Sequence, residues 1–176
     1  RSPDDAALAA LCREIGATSA PTASAHQGAA VVVLAMPYGA LDAVLGELGP
    51  LTGQIVIDCT NAVMRGMKLT YGHTTSSAEE LQKRIPGARV FKSFNAQGAE
   101  NLARPEYPEG RASNFFCGDD AEGREVVREL VRDVGLDPVD AGPLESARLL
   151  EPLMVLWVRC SQSAGTRDIA FRLLRR

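Results

Sequence analysis

The sequence AVVVLAM, residues 30–36, decides the fold class. It is a short, continuous apolar run rich in valine, which is typical of a strand buried on both faces of a parallel sheet. A second run of this kind, QIVIDC, follows at residues 54–59, and apolar residues recur at helical spacing between the two, in residues 41–48. Strand, helix and strand in this order predict a βαβ unit.

The same alternation continues towards the end of the chain. Further strands are predicted at residues 89–94, 114–117 and 137–141, and further helices at 77–85, 98–103, 121–134 and 144–161. Residues 62–75 show no period and are predicted to form a loop. The pattern predicts an α/β fold of the Rossmann type, with a doubly wound, mostly parallel sheet and helices on both faces.

Length and composition exclude several classes of protein. The 176 residues predict one domain, residues 1–176, and a net charge of −3 offers no basic surface for nucleic acid. The four cysteines are far apart and neither histidine is grouped with them, so no metal site is expected. No apolar run is long enough to span a membrane and no signal peptide is visible, so we expect a cytoplasmic protein.

Candidate ligand-binding residues follow the predicted strands, because ligands of open α/β sheets bind beyond the carboxyl ends of the strands. Those that end or follow the first three strands are Ala35, Met36, Pro37, Thr60, Asn61, Asn95 and Ala96. A proline can be a simple strand stop, and a Thr-Asn pair can be a turn or a helix cap. Polar residues at the ends of successive strands favour a ligand, with a ribose or a carboxamide as the group they suit.

No residue is assigned a catalytic role. Cys59 ends a strand, but the sequence places no histidine to activate it. His73 lies in the predicted loop, where a solvated side chain is expected, and packing is the favoured role for Tyr38. The lack of an evident general acid fits hydride transfer between two bound cofactors, in which the protein supplies orientation.

Several segments resemble the NADPH-dependent coenzyme F420 reductase family, which is related to the N-terminal domain of pyrroline-5-carboxylate reductases. The matching segments are RSP (1–3), VVVLAMPY (31–38), QIVIDCTN (54–61), GARVFKSFNAQGAENL (87–102), the stretch from FFCGDD to LLEPL (115–153) and RDIAFRLLRR (167–176). They cover nearly the whole chain, and the part from Gly118 to Pro152 is the most specific.

The resemblance implies an NADP-dependent oxidoreductase that moves hydride between NADP(H) and a deazaflavin (coenzyme F420) or a flavin. It also implies cofactor contacts along the strand ends, with Thr60 and Asn61 near the nicotinamide and Asn95 and Ala96 bordering both the nicotinamide and the second ring. Ala35, Met36 and Pro37 would pass along the cofactor. The long helix that begins near Leu144 would help to wall the second cofactor.

The start of the chain carries a further expectation from the resemblance. Arg1 and Ser2 would hold the 2′-phosphate of NADP, since an arginine and a hydroxyl at a helix N-terminus suit a phosphate; Ser2 would be the N-cap of that helix. Family members carry a G-x-G-x-x-G βαβ unit before this point. No two glycines here are separated by a single residue. We therefore expect the first βαβ unit to be absent from this chain, and NADP binding by the chain to be weak.

Two alternatives stay open at this stage. One is reduction of a small imine or carbonyl, as in pyrroline-5-carboxylate reductases, and the other is a non-catalytic NADP-binding module. A homodimer is also open, because the apolar segment at residues 149–158 could cover a partner subunit as easily as its own sheet.

Overall fold

A five-stranded sheet forms the centre of the computed structural model, which describes residues 5–176. Its strands, in spatial as well as chain order, are β1 (Val31–Leu34), β2 (Ile55–Asp58), β3 (Arg89–Lys92), β4 (Ser113–Gly118) and β5 (Asp137–Asp140). The helices are α1 (Ala6–Ile15), α2 (Thr22–Ala25), α3 (Leu41–Leu48), α4 (Ser77–Arg84), α5 (Ala99–Ala103), α6 (Ala121–Asp133) and α7 (Ala147–Ala164). Short 3₁₀ turns, Tyr38–Ala40 and Leu144–Ser146, precede α3 and α7.

The first three strands are parallel and in register, which brings their carboxyl ends together. Leu34 pairs with Asp58, and Asp58 pairs with Lys92. Because of this register, the residues that follow each strand emerge at the same edge of the sheet. No other strand in residues 5–176 pairs with the outer edge of β1, where Val33 is 54% exposed.

The fourth strand runs antiparallel to the third, whereas β5 is again parallel to β4. The sheet is thus mostly parallel, as predicted, but it is not the fully parallel sheet that a simple series of βαβ units would give. The connection before β4 explains the reversal. It contains only the five-residue α5 and a hairpin that pairs Glu106–Tyr107 with Gly110–Arg111, so it does not carry the chain back across the sheet.

Helices cover both faces of the sheet, which confirms the doubly wound prediction. Val56 and Val90 point to one face, where α3, α4 and α7 contribute Leu41, Leu81 and Leu150. The opposite face is formed by residues that alternate with these along the strands and by α6; its fully buried members include Ile57, Phe91, Phe116, Val127 and Val131.

Several predicted boundaries needed correction. The predicted loop contains a small hairpin that pairs Val63–Met64 with Lys68–Leu69. The N-cap of α1 is Asp5, whose carboxylate accepts from the backbone of Ala7 at 2.8 Å, and not Ser2 as predicted. A carboxylate is a good acceptor for the free N–H groups of a first helical turn. Within residues 5–176, no helix combines the length and apolar character that a membrane span requires.

Candidate functional site

A cavity of about 610 Å³ opens at the carboxyl ends of β1, β2 and β3. Its size is in the range of cofactor sites, and its position is the one expected for ligands of an open α/β sheet. The residues that line it are Val33, Ala35, Met36, Pro37, Ile57, Cys59, Asn61, Phe94, Asn95, Gln97, Ala99, Leu102, Leu130 and Val134. The walls are therefore mainly apolar, and Asn61, Asn95 and Gln97 contribute amide side chains.

Two asparagines join the ends of β2 and β3. The side-chain amide of Asn61 donates to the backbone carbonyl of Asn95 at 2.9 Å, and that of Asn95 donates to Asn61 Oδ1 at 3.0 Å. Asn95 Nδ2 also donates to the carbonyl of Leu150 in α7, again at 3.0 Å. Asn95 is only 3% exposed, so these bonds fix its side chain within a largely dry environment.

The backbone between the third strand and Asn95 has an unusual conformation. Phe94 has a φ of +57°, in the left-handed region that a bulky residue rarely adopts. Its N–H donates to Asn114 Oδ1 at 3.2 Å, and Asn114 Nδ2 in turn donates to Ser93 Oγ at 2.8 Å. Asn114 in β4 thus holds the turn that places Phe94 in the cavity wall.

A buried lysine lies at the end of β3, on the face of the sheet that α4 and α7 cover. Lys92 Nζ donates to Asp58 Oδ2 at 2.8 Å, to the carbonyl of Thr60 at 2.7 Å and to Ser77 Oγ at 3.0 Å, and it lies 3.1 Å from Glu151 Oε1. All three ammonium protons thereby have acceptors. Burial would lower the pKa of Lys92, but the carboxylates of Asp58 and Glu151 outweigh that effect and raise it.

The two carboxylates of this cluster have further partners. Asp58 Oδ1 accepts from the backbone and the hydroxyl of Thr60, at 2.9 and 2.6 Å. Glu151 Oε1 accepts from the backbone and the hydroxyl of Ser77, at 2.9 and 2.6 Å, and so caps the N-terminus of α4 from α7. The positive end of that helix offsets the second negative charge. The cluster thus ties α4, α7, β2 and β3 together.

Cys59 is the one ionisable side chain that lines the cavity, as far as the described residues show. Burial raises the pKa of its thiol to about 12; Asp58 adds to the shift and Lys92 opposes it. The thiol is therefore protonated and weakly nucleophilic at neutral pH. His73 is exposed, and Tyr38 donates to the hydroxyl of Tyr71 at 3.3 Å, outside the cavity lining.

Solved structures share this fold. A crystal structure from Arthrobacter sp. FB24, described as a candidate F420-dependent NADP reductase, is 30% identical and superposes with a TM-score of 0.85 over 93% of this chain and 78% of that chain. A family model described as NADP oxidoreductase, coenzyme F420-dependent, matches residues 1–62. The chain belongs to this NADP oxidoreductase family. The resemblance stated from the sequence is thereby confirmed.

Other similar proteins extend beyond this chain. Metalloreductase STEAP3 of Rattus norvegicus is 37% identical over 109 residues, which are 60% of this chain and 21% of that protein. The chain spans about a fifth of the length of the curated relatives it matches. A reductive aminase from Aspergillus terreus, solved with NADPH and ethyl-5-oxohexanoate, is 22% identical with a TM-score of 0.65 over 92% of this chain and 52% of that chain, and shares the fold.

The structure brings together most of the residues that the resemblance to the NADP oxidoreductase family implied. The predicted residues that line the cavity are Ala35, Met36, Pro37, Asn61 and Asn95. Thr60 does not line the cavity; it is buried and bonded to Asp58, so its hydroxyl already has a partner. Ala96 follows Asn95 but is not among the lining residues. Arg1 and Ser2 lie outside the described residues.

The sequence analysis did not predict several other residues that line the cavity of this member of the NADP oxidoreductase family. Gln97 had a local signal, because it lies two residues beyond Asn95 in the same loop. Leu102, Leu130 and Val134 had none, since they come from α5 and the end of α6 and are distant in sequence from the strand ends. Leu144, at the predicted start of the helix expected to wall a second cofactor, is 4% exposed and packs in the core that α7 shares with α3 and α4. The role predicted for this helix stays a prediction.

Proposed function

We propose that this chain forms an NADP-binding domain of an oxidoreductase that transfers hydride between NADP(H) and a deazaflavin or flavin-type acceptor. The observation that carries the proposal is the apolar cavity at the carboxyl ends of three parallel strands in a member of this family. When bound, NADPH supplies a hydride, which the acceptor ring takes up together with a solvent proton to leave NADP⁺. The protein has to bind, orient and dehydrate the two rings.

The lining residues suit these tasks. Ile57, Phe94 and Leu130 offer flat or branched apolar surface for a ring, and they exclude water from it. Met36 and Pro37 lie at the end of β1, where a dinucleotide would cross the edge of the sheet. We further propose that Arg1 and Ser2 contact the 2′-phosphate, which would favour NADP over NAD.

The chemistry of the lining favours a ring acceptor over an imine or carbonyl. Reduction of an imine or a carbonyl needs a proton at nitrogen or oxygen as the hydride arrives, and this is the role of a general acid. Cys59, the single ionisable residue in the described lining, has a pKa of about 12 and is a poor acid at neutral pH. Hydride transfer to a conjugated ring can take its proton from solvent.

The test is a titration of the purified full-length protein with NADPH and NADH, followed by addition of coenzyme F420, flavin mononucleotide or a cyclic imine. We expect NADPH to bind more tightly than NADH, and the nicotinamide absorbance to fall with a deazaflavin or flavin but not with the imine. Binding without turnover on any acceptor would favour the non-catalytic module. Turnover on the imine alone would favour the imine reductase, and equal affinities for NADH and NADPH would exclude a 2′-phosphate contact.

A further inference from the structure

Two buried polar atoms in the cavity lining have no hydrogen-bond partner within residues 5–176. They are Asn95 Oδ1 and Gln97 Nε2, and both residues line the same cavity. A buried amide atom without a hydrogen-bond partner is unfavourable, so a ligand that supplies the missing partner would be held at that atom. The first is an acceptor and the second is a donor.

The orientation of the Asn95 amide is determined by its other contacts. Its Nδ2 donates to two oxygens, Asn61 Oδ1 and the carbonyl of Leu150, each at 3.0 Å. Rotating the amide by half a turn would place Oδ1 against both of these acceptors, which is unfavourable. The acceptor Oδ1 is therefore the atom that remains for a ligand.

We propose that Asn95 and Gln97 together bind an amide group on one of the redox rings. Asn95 Oδ1 accepts from the N–H of that group, and Gln97 Nε2 donates to its C=O. The remaining lining is apolar apart from Asn61 and Cys59, so this pair sets the rotation of the ring within the cavity. This inference rests on the proposed function and assigns the part of the ligand that the amide side chains recognise.

Two sources can supply an N–H beside a C=O. One is the carboxamide of the nicotinamide, and the other is the pyrimidine edge of a flavin or deazaflavin. Both chemistries satisfy the same pair of protein atoms. The experiment therefore contains an arm for each source, with affinity and not turnover as the measurement.

The Gln97 half is tested with Gln97→Met, which keeps the length of the side chain and removes the donor, and with Gln97→Glu, which replaces the donor with an acceptor. Gln162→Met is the matched control, because Gln162 is exposed near the end of α7. Affinities for NADPH and for flavin mononucleotide are measured by fluorescence. We expect Gln97→Met to weaken one of the two ligands about fivefold to tenfold, Gln97→Glu to weaken it further, and the control to match the wild type.

The contact proposed for Asn95 is tested by changing the ligand and not the protein, because a substitution of Asn95 would also break its hydrogen bonds to Asn61 and Leu150. The 3-acetylpyridine analogue of NADPH keeps the C=O but lacks the N–H, and an N3-methyl flavin removes the N–H of the other ring. If Gln97→Met weakens NADPH binding, the wild type should bind the 3-acetylpyridine analogue about fivefold to tenfold less tightly than NADPH. If Gln97→Met weakens flavin mononucleotide binding, the same loss is expected for the N3-methyl flavin.

The outcomes separate this inference from the function on which it rests. A wild type that binds neither NADPH nor flavin mononucleotide contradicts the proposed function, and this inference with it. A wild type that binds them, together with Gln97 variants that bind both unchanged, contradicts this inference alone. Folding of each variant is followed by urea unfolding, and Gln97→Glu gives a second test if Gln97→Met unfolds.

Discussion

Asn61 and Asn95 exchange hydrogen bonds across the ends of β2 and β3, at 2.9 and 3.0 Å. Each residue is thus both donor and acceptor to the other, and the pair lies in the lining of the cavity. The parallel register of Asp58 with Lys92 places the two asparagines close enough for this exchange. The pair is the direct link between the strand ends and the proposed ligand contacts.

Replacing Asn61 with alanine should weaken both the fold and NADPH binding. The change leaves the carbonyl of Asn95 without its donor and takes one acceptor from Asn95 Nδ2, at an expected cost of about 1–3 kcal/mol in the free energy of unfolding. Urea unfolding and NADPH titration measure the two effects. Gln27→Ala, at an exposed position, is the control. If the Asn61→Ala variant is destabilised but binds NADPH as tightly as the wild type, the asparagine pair does not contribute to the NADPH site.

Two substitutions in the lysine cluster should differ in their effect on stability. Lys92→Met leaves the carboxylates of Asp58 and Glu151 buried without their ammonium, which should lower the free energy of unfolding by about 3–5 kcal/mol. Glu151→Gln keeps an amide oxygen that can accept from Ser77, and it leaves the charge of Lys92 balanced by the carboxylate of Asp58. It should therefore lower the free energy of unfolding by less than Lys92→Met does. Chemical denaturation of both variants gives the order. If Glu151→Gln is the more destabilising change, the charge balance described for the cluster is wrong.

Two glycines should respond to alanine in opposite directions. A Cβ at Gly118 would overlap the ring of Phe91, which is fully buried, so Gly118→Ala should destabilise the protein by about 1–3 kcal/mol. A Cβ at Gly46 meets nothing within 4 Å, and Gly46 lies within α3, so Gly46→Ala should stabilise it by about 0.5–1 kcal/mol. Thermal unfolding of the two variants compares them directly. A stable Gly118→Ala variant would mean that Phe91 has room to move.

Cys59 should react slowly with alkylating reagents, and bound NADPH should protect it. A thiol with a pKa of about 12 has very little thiolate at neutral pH, so the rate should rise about tenfold for each pH unit without a plateau. The measurement uses iodoacetamide between about pH 7 and about pH 9.5 on a Cys12→Ser, Cys160→Ser background. A plateau within that range would show that the thiol is more acidic than its surroundings imply, and equal rates with and without NADPH would place the ligand elsewhere.

Alkaline pH should destabilise the protein, in part through Cys117. Burial raises the pKa of this thiol to about 12, from an ordinary value of 9.0. Between these two values the unfolded chain has lost the proton and the folded chain has kept it, so unfolding releases a proton and is favoured as the pH rises. The expected loss is about 1.4 kcal/mol per pH unit for each such thiol. The raised pKa of Lys92 acts in the same direction, because its contribution is lost as the pH rises through the folded value.

The variant Cys117→Ser isolates the contribution of this thiol, since serine does not titrate in this range. Unfolding by urea at several pH values above about 9 should give a slope that is shallower than that of the wild type by about 1.4 kcal/mol per pH unit. Only the slope is compared, so a constant loss of stability in the variant does not affect the result. Identical slopes would show that Cys117 ionises as readily in the folded protein as in the unfolded chain.

Much of the fold could be predicted from local patterns. The runs VVVL and IVID and the helical spacing in α6 place these elements to within a few residues, because buried strands and amphipathic helices carry strong periodic signals. The reversal of β4 could not be predicted in this way. A strand has the same composition whichever way it runs, and the direction was decided by a short helix and a hairpin in the preceding connection.

By itself, the sequence determined the class of fold, the edge of the sheet at which the cavity opens and the family to which the chain belongs. These follow from strand composition, from the residues after each strand and from matching segments that cover most of the chain. Only the tertiary structure decided which of those residues reach the cavity. It buries Thr60 against Asp58, orients Asn95 through Leu150 and brings Leu130 of α6 into the cavity wall. The reason is physical: hydrogen bonds and packing between distant segments determine where a side chain points, and a local pattern does not record them.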